Sequence, residues 1–168
     1  MARIPPAVPP DTMSAEQRLH DLGLSLPAGS APAANYANAV RSGQLMFLSG
    51  KAPQAVDGKL PKGRLGREFD ADQGYHFARS ACLDLIAVMR NELGSLDRIA
   101  RIIELQGFLN TVETFEEHAR VLNGASDLLA AVFGERGVHA RSVVGANSLR
   151  AGIPVMLRAV IEISDPLA

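Results

Sequence analysis

The chain has no tryptophan, one cysteine and only 5% aromatic residues in its 168. Each shortage excludes something. With Cys82 alone, no intrachain disulfide can form, and a reducing compartment is favoured. His20, His76, His118 and His139 are scattered, and neither C-x-x-C nor H-E-x-x-H occurs, so no metal site is expected. The glycine-rich phosphate loops of dinucleotide and P-loop proteins are missing too, and Ser49 and Ser148 sit in no nucleophile motif. Kinase, dehydrogenase and hydrolase readings of the usual kind therefore fail, and no cofactor is expected. Charge of one sign is also lacking: 17 basic residues face 18 acidic ones, for a net charge of −1. That balance, with so few rings to stack on bases, argues against a nucleic-acid partner. No run approaches the ~20 apolar residues of a membrane helix, and the N-terminal stretch lacks the unbroken apolar core of a secretion signal. A cytoplasmic protein without a membrane partner is the simplest expectation.

What is present is an ordinary globular composition, 47% hydrophobic and 21% charged, enough for one domain over residues 14–168 behind a Pro-rich tail at 1–13. Ser14 to Gln17 has capping-box spacing and predicts a short helix near 14–22, ended by Gly23. The runs Asn35–Arg41 and Gln44–Gly50 flank Ser42-Gly43 and read as a hairpin. Asp70 or Asp72 can cap a helix to Leu93, with Ala78, Ala81, Cys82, Leu85, Val88, Met89 and Leu93 as its apolar stripe and Gly94 as its stop. Cys82 lies on that stripe and reads as core, not as a nucleophile. A strand follows at Ile99–Phe108, then a second helical region from Thr114 to Phe133. Its core face is Phe115, Ala119, Leu122, Leu128, Leu129 and Val132, and Asn123-Gly124 predicts a bend, with Ser126 as a cap. Ser142–Ala146 and Val155–Ile163 complete the chain as two neighbouring strands, separated by Gly152 and Pro154. The order β-β-α-β-α-β-β after a short helix predicts an α+β fold with two main helices on one face of a mixed sheet.

One residue stands out in this last part. Arg141 enters an otherwise apolar strand, where a guanidinium is costly to bury without an anion to meet its fork. It is either a strand-edge arginine, paired with a neighbouring Glu or solvated, or a ligand-binding one. Its surroundings, H-A-R-S-V-V-x(7)-G-I-P-V over His139–Val155, resemble the C-terminal signature of the RidA (YjgF-like) family, usually P-A-R-[ST]-x-V. Residues 35–51 resemble the family's N-terminal half, with Asn35-Tyr36-Ala37-Asn38-Ala39-Val40 and Ser49-Gly50-Lys51. Asp72-Gln73 matches its E-Q at the head of the helix. The resemblance covers roughly residues 35–163.

This resemblance implies the chorismate-mutase-like, RidA-type fold and a homotrimer with pockets between subunits. It further implies that Arg141 grips the carboxylate of a small imine or enamine acid and that Tyr36 lines one wall. Asn123 and backbone near Gly50 and Val143 would orient the nitrogen. Read from the sequence alone, Tyr36 is equally a half-buried strand tyrosine, and Asn123 a helix breaker. Three positions depart from the family: His139 replaces a proline, Lys51 a glutamine, and Met156 the glutamate that helps activate water. Replacement acids could come from Glu104, Glu113 or Glu162. Two functions are open: hydrolytic deamination of small imine or enamine acids, where placing the substrate and a water can suffice, or a carboxylate-binding trimer without catalysis. A ribonuclease or translation-inhibitor role fits the near-neutral charge least.

Overall fold

A computed structural model describes residues 13–164, so the tail read at 1–13 lies outside the described residues except for Met13. The described chain runs α1 (Ala15–Asp21), β1 (Ala39–Ser42), β2 (Leu45–Lys51), α2 (Ala71–Leu93), β3 (Ile99–Asn110), α3 (His118–Phe133), β4 (Ala140–Ala146) and β5 (Val155–Ile163). This is the predicted α+β order.

Local chemistry explains the best-defined ends. Ser14 Oγ accepts the Gln17 amide at the head of α1, although the Gln17 side chain turns away to donate to Asp21. At α2 both halves of a capping box form between Asp70 and Gln73. Gly94 closes α2 in the left-handed conformation. The β1–β2 hairpin turns on Gly43-Gln44, because Ser42 already pairs with Leu45 and Gly43 supplies the positive φ. The predicted first strand begins late, at Ala39, which leaves Tyr36 in the preceding turn and not on a strand.

The five-stranded sheet has the order β1-β2-β5-β3-β4. All pairings are antiparallel except β3–β4, which is parallel and joined through α3. The last two strands are therefore not neighbours, contrary to expectation. Residues 147–154 carry the chain past the end of β3, and β5 enters on its far side. Alternation then sorts the side chains: Val155, Leu157, Ala159, Ile161 and Ile163 of β5 enter the core under α2 and α3. Val40, Phe47 and Val144 are exposed.

The second helix departs most from prediction. It starts at His118, so Phe115 precedes it, and Ala119 faces solvent. It runs through Asn123-Gly124 without a bend, and Ser126 is mid-helix, not a cap. Gly124 is there for space: a Cβ would collide with the Tyr75 carbonyl oxygen of α2. The helices approach closely enough for Cys82 Sγ to lie 3.7 Å from the Ala125 carbonyl. This generates a test with opposite signs. In a helix interior Gly→Ala ordinarily stabilises by about 0.5–1 kcal/mol; Gly124→Ala should instead destabilise by roughly 1–3 kcal/mol through overpacking, read by denaturant unfolding.

Candidate functional site

The expected site residues fall into two groups. The first gathers around Arg141 on β4, whose pairing with Leu105 of β3 sets its side chain on the helix side of the sheet. Arg141 Nη1 donates to Asn123 Oδ1 at 2.8 Å and to Ser126 Oγ at 3.1 Å. Both partners project from α3 and both are neutral. No carboxylate pairs with this guanidinium among the described residues. Its fork is therefore oriented and open to an anion. Val143 follows two residues later on the same strand face, half-buried against the core.

His139 supports this group. Its Nδ1 lies 2.5 Å from the Gly137 carbonyl oxygen, which can only accept, so Nδ1 carries the proton. In the neutral ring Nε2 is then an acceptor for the Ser126 hydroxyl, 3.1 Å away. That leaves the Ser126 lone pairs to receive Arg141. The histidine that replaces the family's usual proline thus orients the serine that orients the arginine. Sequence reasoning missed Ser126 as a site residue, because only the fold brings it to β4.

The second group is Tyr36, Gly50 and Met156. They line a cavity of about 320 Å³ with Ser49, Ile153 and Arg150. The Tyr36 hydroxyl accepts the Ala33 amide at 3.2 Å, which leaves its own proton available to a ligand. Gly50 and Met156 are closely packed: a Cβ at position 50 would lie 2.8 Å from Met156 Sδ, so the methionine would have to shift to admit one. Met156 points away from the helices, because Val155 and Leu157 on either side of it are in the core. In one chain the structure does not join this group to Arg141, Asn123 and Val143, and the cavities that hold members of the two groups are separate. Arg150 is a second omission of the sequence reading. Its guanidinium has no protein partner among the described residues, and the following Ala151 is held at φ +54°.

None of the proposed replacement acids lines the Met156 cavity. Glu104 accepts from Gln106, and Glu162 pairs across to Leu45 at the opposite end of β2 from Gly50. Glu113 lies exposed beyond β3. Asp72 and Asp127 share a different cavity with Asn123. Asp72 is held by Arg120 at 2.6 Å, while Asp127 accepts the Tyr75 hydroxyl and raises that phenol above its ordinary pKa.

Beneath Gly50 lies a partly buried polar network. Lys51 is 4% exposed, and its ammonium donates to the Ser30 carbonyl, to Ser30 Oγ at 2.9 Å and to Asn38 Oδ1 at 2.6 Å. Ser30 in turn donates its amide and hydroxyl to Asp84, at 3.0 and 2.6 Å. Lysine and aspartate thus compensate each other through a serine. All three ammonium protons are used, so Lys51 holds the loop and does not offer itself to a ligand.

Among the described residues no group of His, Cys, Asp and Glu is placed to hold a metal, and no helix is long and apolar enough to cross a membrane. Cys82 is fully buried, which pushes its thiol up to about 12. At pH 8 it should stay protonated and resist a thiol-titrating disulfide reagent in native protein, then react on unfolding in denaturant.

Sequence and fold together define a class. A family model described as "YjgF/chorismate mutase-like, putative endoribonuclease" matches residues 16–157. The chain belongs to this YjgF family, of RidA type, and has its chorismate-mutase-like α+β fold. It is 40% identical to Protein TCP17 of Trypanosoma cruzi over 148 residues, covering 88% of this chain and 92% of that one. The solved structure of Atu1372 from Agrobacterium tumefaciens, a protein described as of unknown function, is 38% identical with a TM-score of 0.81, covering 89% and 92% of the two chains. A Shewanella oneidensis structure, described as "a putative endoribonuclease", is 34% identical with a TM-score of 0.85, covering 90% and 100%.

Proposed function

We propose that this protein binds small, reactive imine or enamine carboxylic acids and promotes their hydrolysis to a keto acid and ammonia. The observation that carries the reading is Arg141, a guanidinium aimed by Asn123 and Ser126 yet matched to no carboxylate among the described residues. A substrate carboxylate would complete it bidentately. In this reading a homotrimer joins the Arg141, Asn123 and Val143 group of one subunit to the Tyr36, Gly50 and Met156 cavity of the next. The exposed Val40, Phe47 and Val144 support such an assembly, which would cover them. Light scattering should then give three times the 17.9 kDa chain mass.

Such substrates hydrolyse unaided, so catalysis here rests on holding the imine carbon beside a water, without a general base at position 156. Met156 favours a second reading. Its thioether neither accepts a proton from water nor carries charge, and its cavity contains no carboxylate except in the adjoining space near Asp84, whose oxygens are occupied by Ser30. A protein with this pocket could bind the carboxylate without turning it over.

Ammonia release from a freshly generated 2-imino acid separates the two. Catalysis is expected in wild type, with Arg141→Ala lowering kcat/KM at least about tenfold through loss of charged hydrogen bonds, and circular dichroism unchanged. An inert wild type that gains activity in Met156→Glu would establish the binding reading instead.

A further inference from the structure

A third site lies apart from both groups, where two loops meet at the carboxyl ends of β3 and β4. The cavity there is about 210 Å³, and its polar wall is Lys62, Arg64, Arg67, Asn110, Asn147 and Ser148. It contains neither a carboxylate nor an aromatic ring. The two loops are tied across it: the Gly63 amide donates to the Gly152 carbonyl at 2.9 Å, and Arg64 Nη2 donates to the backbone oxygen and side chain of Asn147. The Lys62 stem lies against Gly152, where a Cβ would come within 3.0 Å of it.

The charges in this wall are incompletely answered. Arg67 Nε meets Glu68 at 2.6 Å, and the other Glu68 oxygen takes the Arg64 amide at 2.7 Å. That single carboxylate, outside the wall, pairs with only one of the three cations, Arg67. The Lys62 ammonium has no protein partner among the described residues. Asn110 is 5% exposed, and its amide makes only long bonds of 3.4 Å, to Arg64 Nε and the Gly63 carbonyl. Like charges gathered on one small volume repel, and an anion placed among them relieves the repulsion and takes the spare donors. A carboxylate has two oxygens, fewer than the lysine, two guanidinium groups, hydroxyl and amides can serve. A phosphate dianion suits their number and charge. A polynucleotide suits the site poorly, because no ring is present to stack a base.

We propose that this pocket binds a phosphate dianion, either free or as the monoester of a small metabolite, through Lys62, Arg64 and Arg67 with Asn110 and Ser148. The site is independent of the Arg141 chemistry.

Calorimetric titration of the whole chain in phosphate-free buffer, with inorganic phosphate, glycerol 3-phosphate and a single-stranded RNA dodecamer, tests it. One saturable site is expected for phosphate or its ester. Its affinity should fall at least about tenfold in Lys62→Gln and in Arg67→Gln and survive in Lys62→Arg, with thermal melting of the ligand-free variants unchanged. Tighter binding of glycerol 3-phosphate assigns the site to a metabolite; tighter binding of phosphate assigns it to the free ion. Absence of saturable binding by both, or affinities that ignore Lys62→Gln and Arg67→Gln, overturns the proposal. So does RNA binding tighter than either small ligand and lost in the same two variants.

Discussion

The contact between α2 and α3 is the constraint on which the rest of this fold depends. Gly124 brings the backbone of α3 against the Tyr75 carbonyl, and the neighbouring Ala125 carbonyl meets Cys82, about two turns further along α2. Small residues on both helices set the spacing, and the larger side chains, Leu85, Met89, Leu128 and Val132, fill the volume above the sheet. Because α3 is fixed this way, Asn123 and Ser126 stand at a defined height over β4. Arg141 then meets two oxygens whose positions depend on helix packing and not on a loop. A helix–helix distance has become an aiming device for a guanidinium.

The parts of this fold that are legible in the sequence are those specified by neighbours along the chain. The Asp70–Gln73 capping box and Gly94 bracket α2 because each satisfies backbone groups within a turn or two. The limits of β5 can be read because Pro154 and the Val/Ile run are local facts. The start of α3 is not legible, and the structure shows why: Glu117 at its N-terminus makes no side-chain cap, so no local signal marks it. Asn123-Gly124 misleads for the opposite reason. Its local propensity for a bend is real, but the space requirement from Tyr75, almost fifty residues away, prevails. Strand order is equally out of reach, since the parallel β3–β4 pairing is a long-range choice that places β3 between the final two strands.

At the candidate site the residues that sequence alone picks out are those carried by short motifs: Arg141 in its H-A-R-S-V-V run, Gly50 behind Ser49, and Asn123 by its distance from Arg141. Ser126, Arg150 and the Ser30 and Asp84 partners of Lys51 carry no such motif. They are assembled by contacts between distant segments. His139 is instructive, because as a departure from a family pattern it reads as a loss. In the structure it sets the polarity of Ser126. Met156 is different: its thioether packs against Gly50 and adds an apolar, uncharged surface to the cavity.

The partly buried Lys51 network also bears on how β2 finds its place. The strand carries an irregularity between Leu48 and Lys51 in its pairing with β5, where the register shifts. Side chains alternate with a period of two, so sliding by one residue would turn Lys51 out of the interior and present Gly50 to Ser30. Asp84 would then keep its bonds to Ser30 but lose the ammonium that Ser30 relays to it. A misthreaded hairpin is thereby penalised at one point, and the lysine serves as a proofreading key for the strand that forms the floor of the Tyr36 cavity.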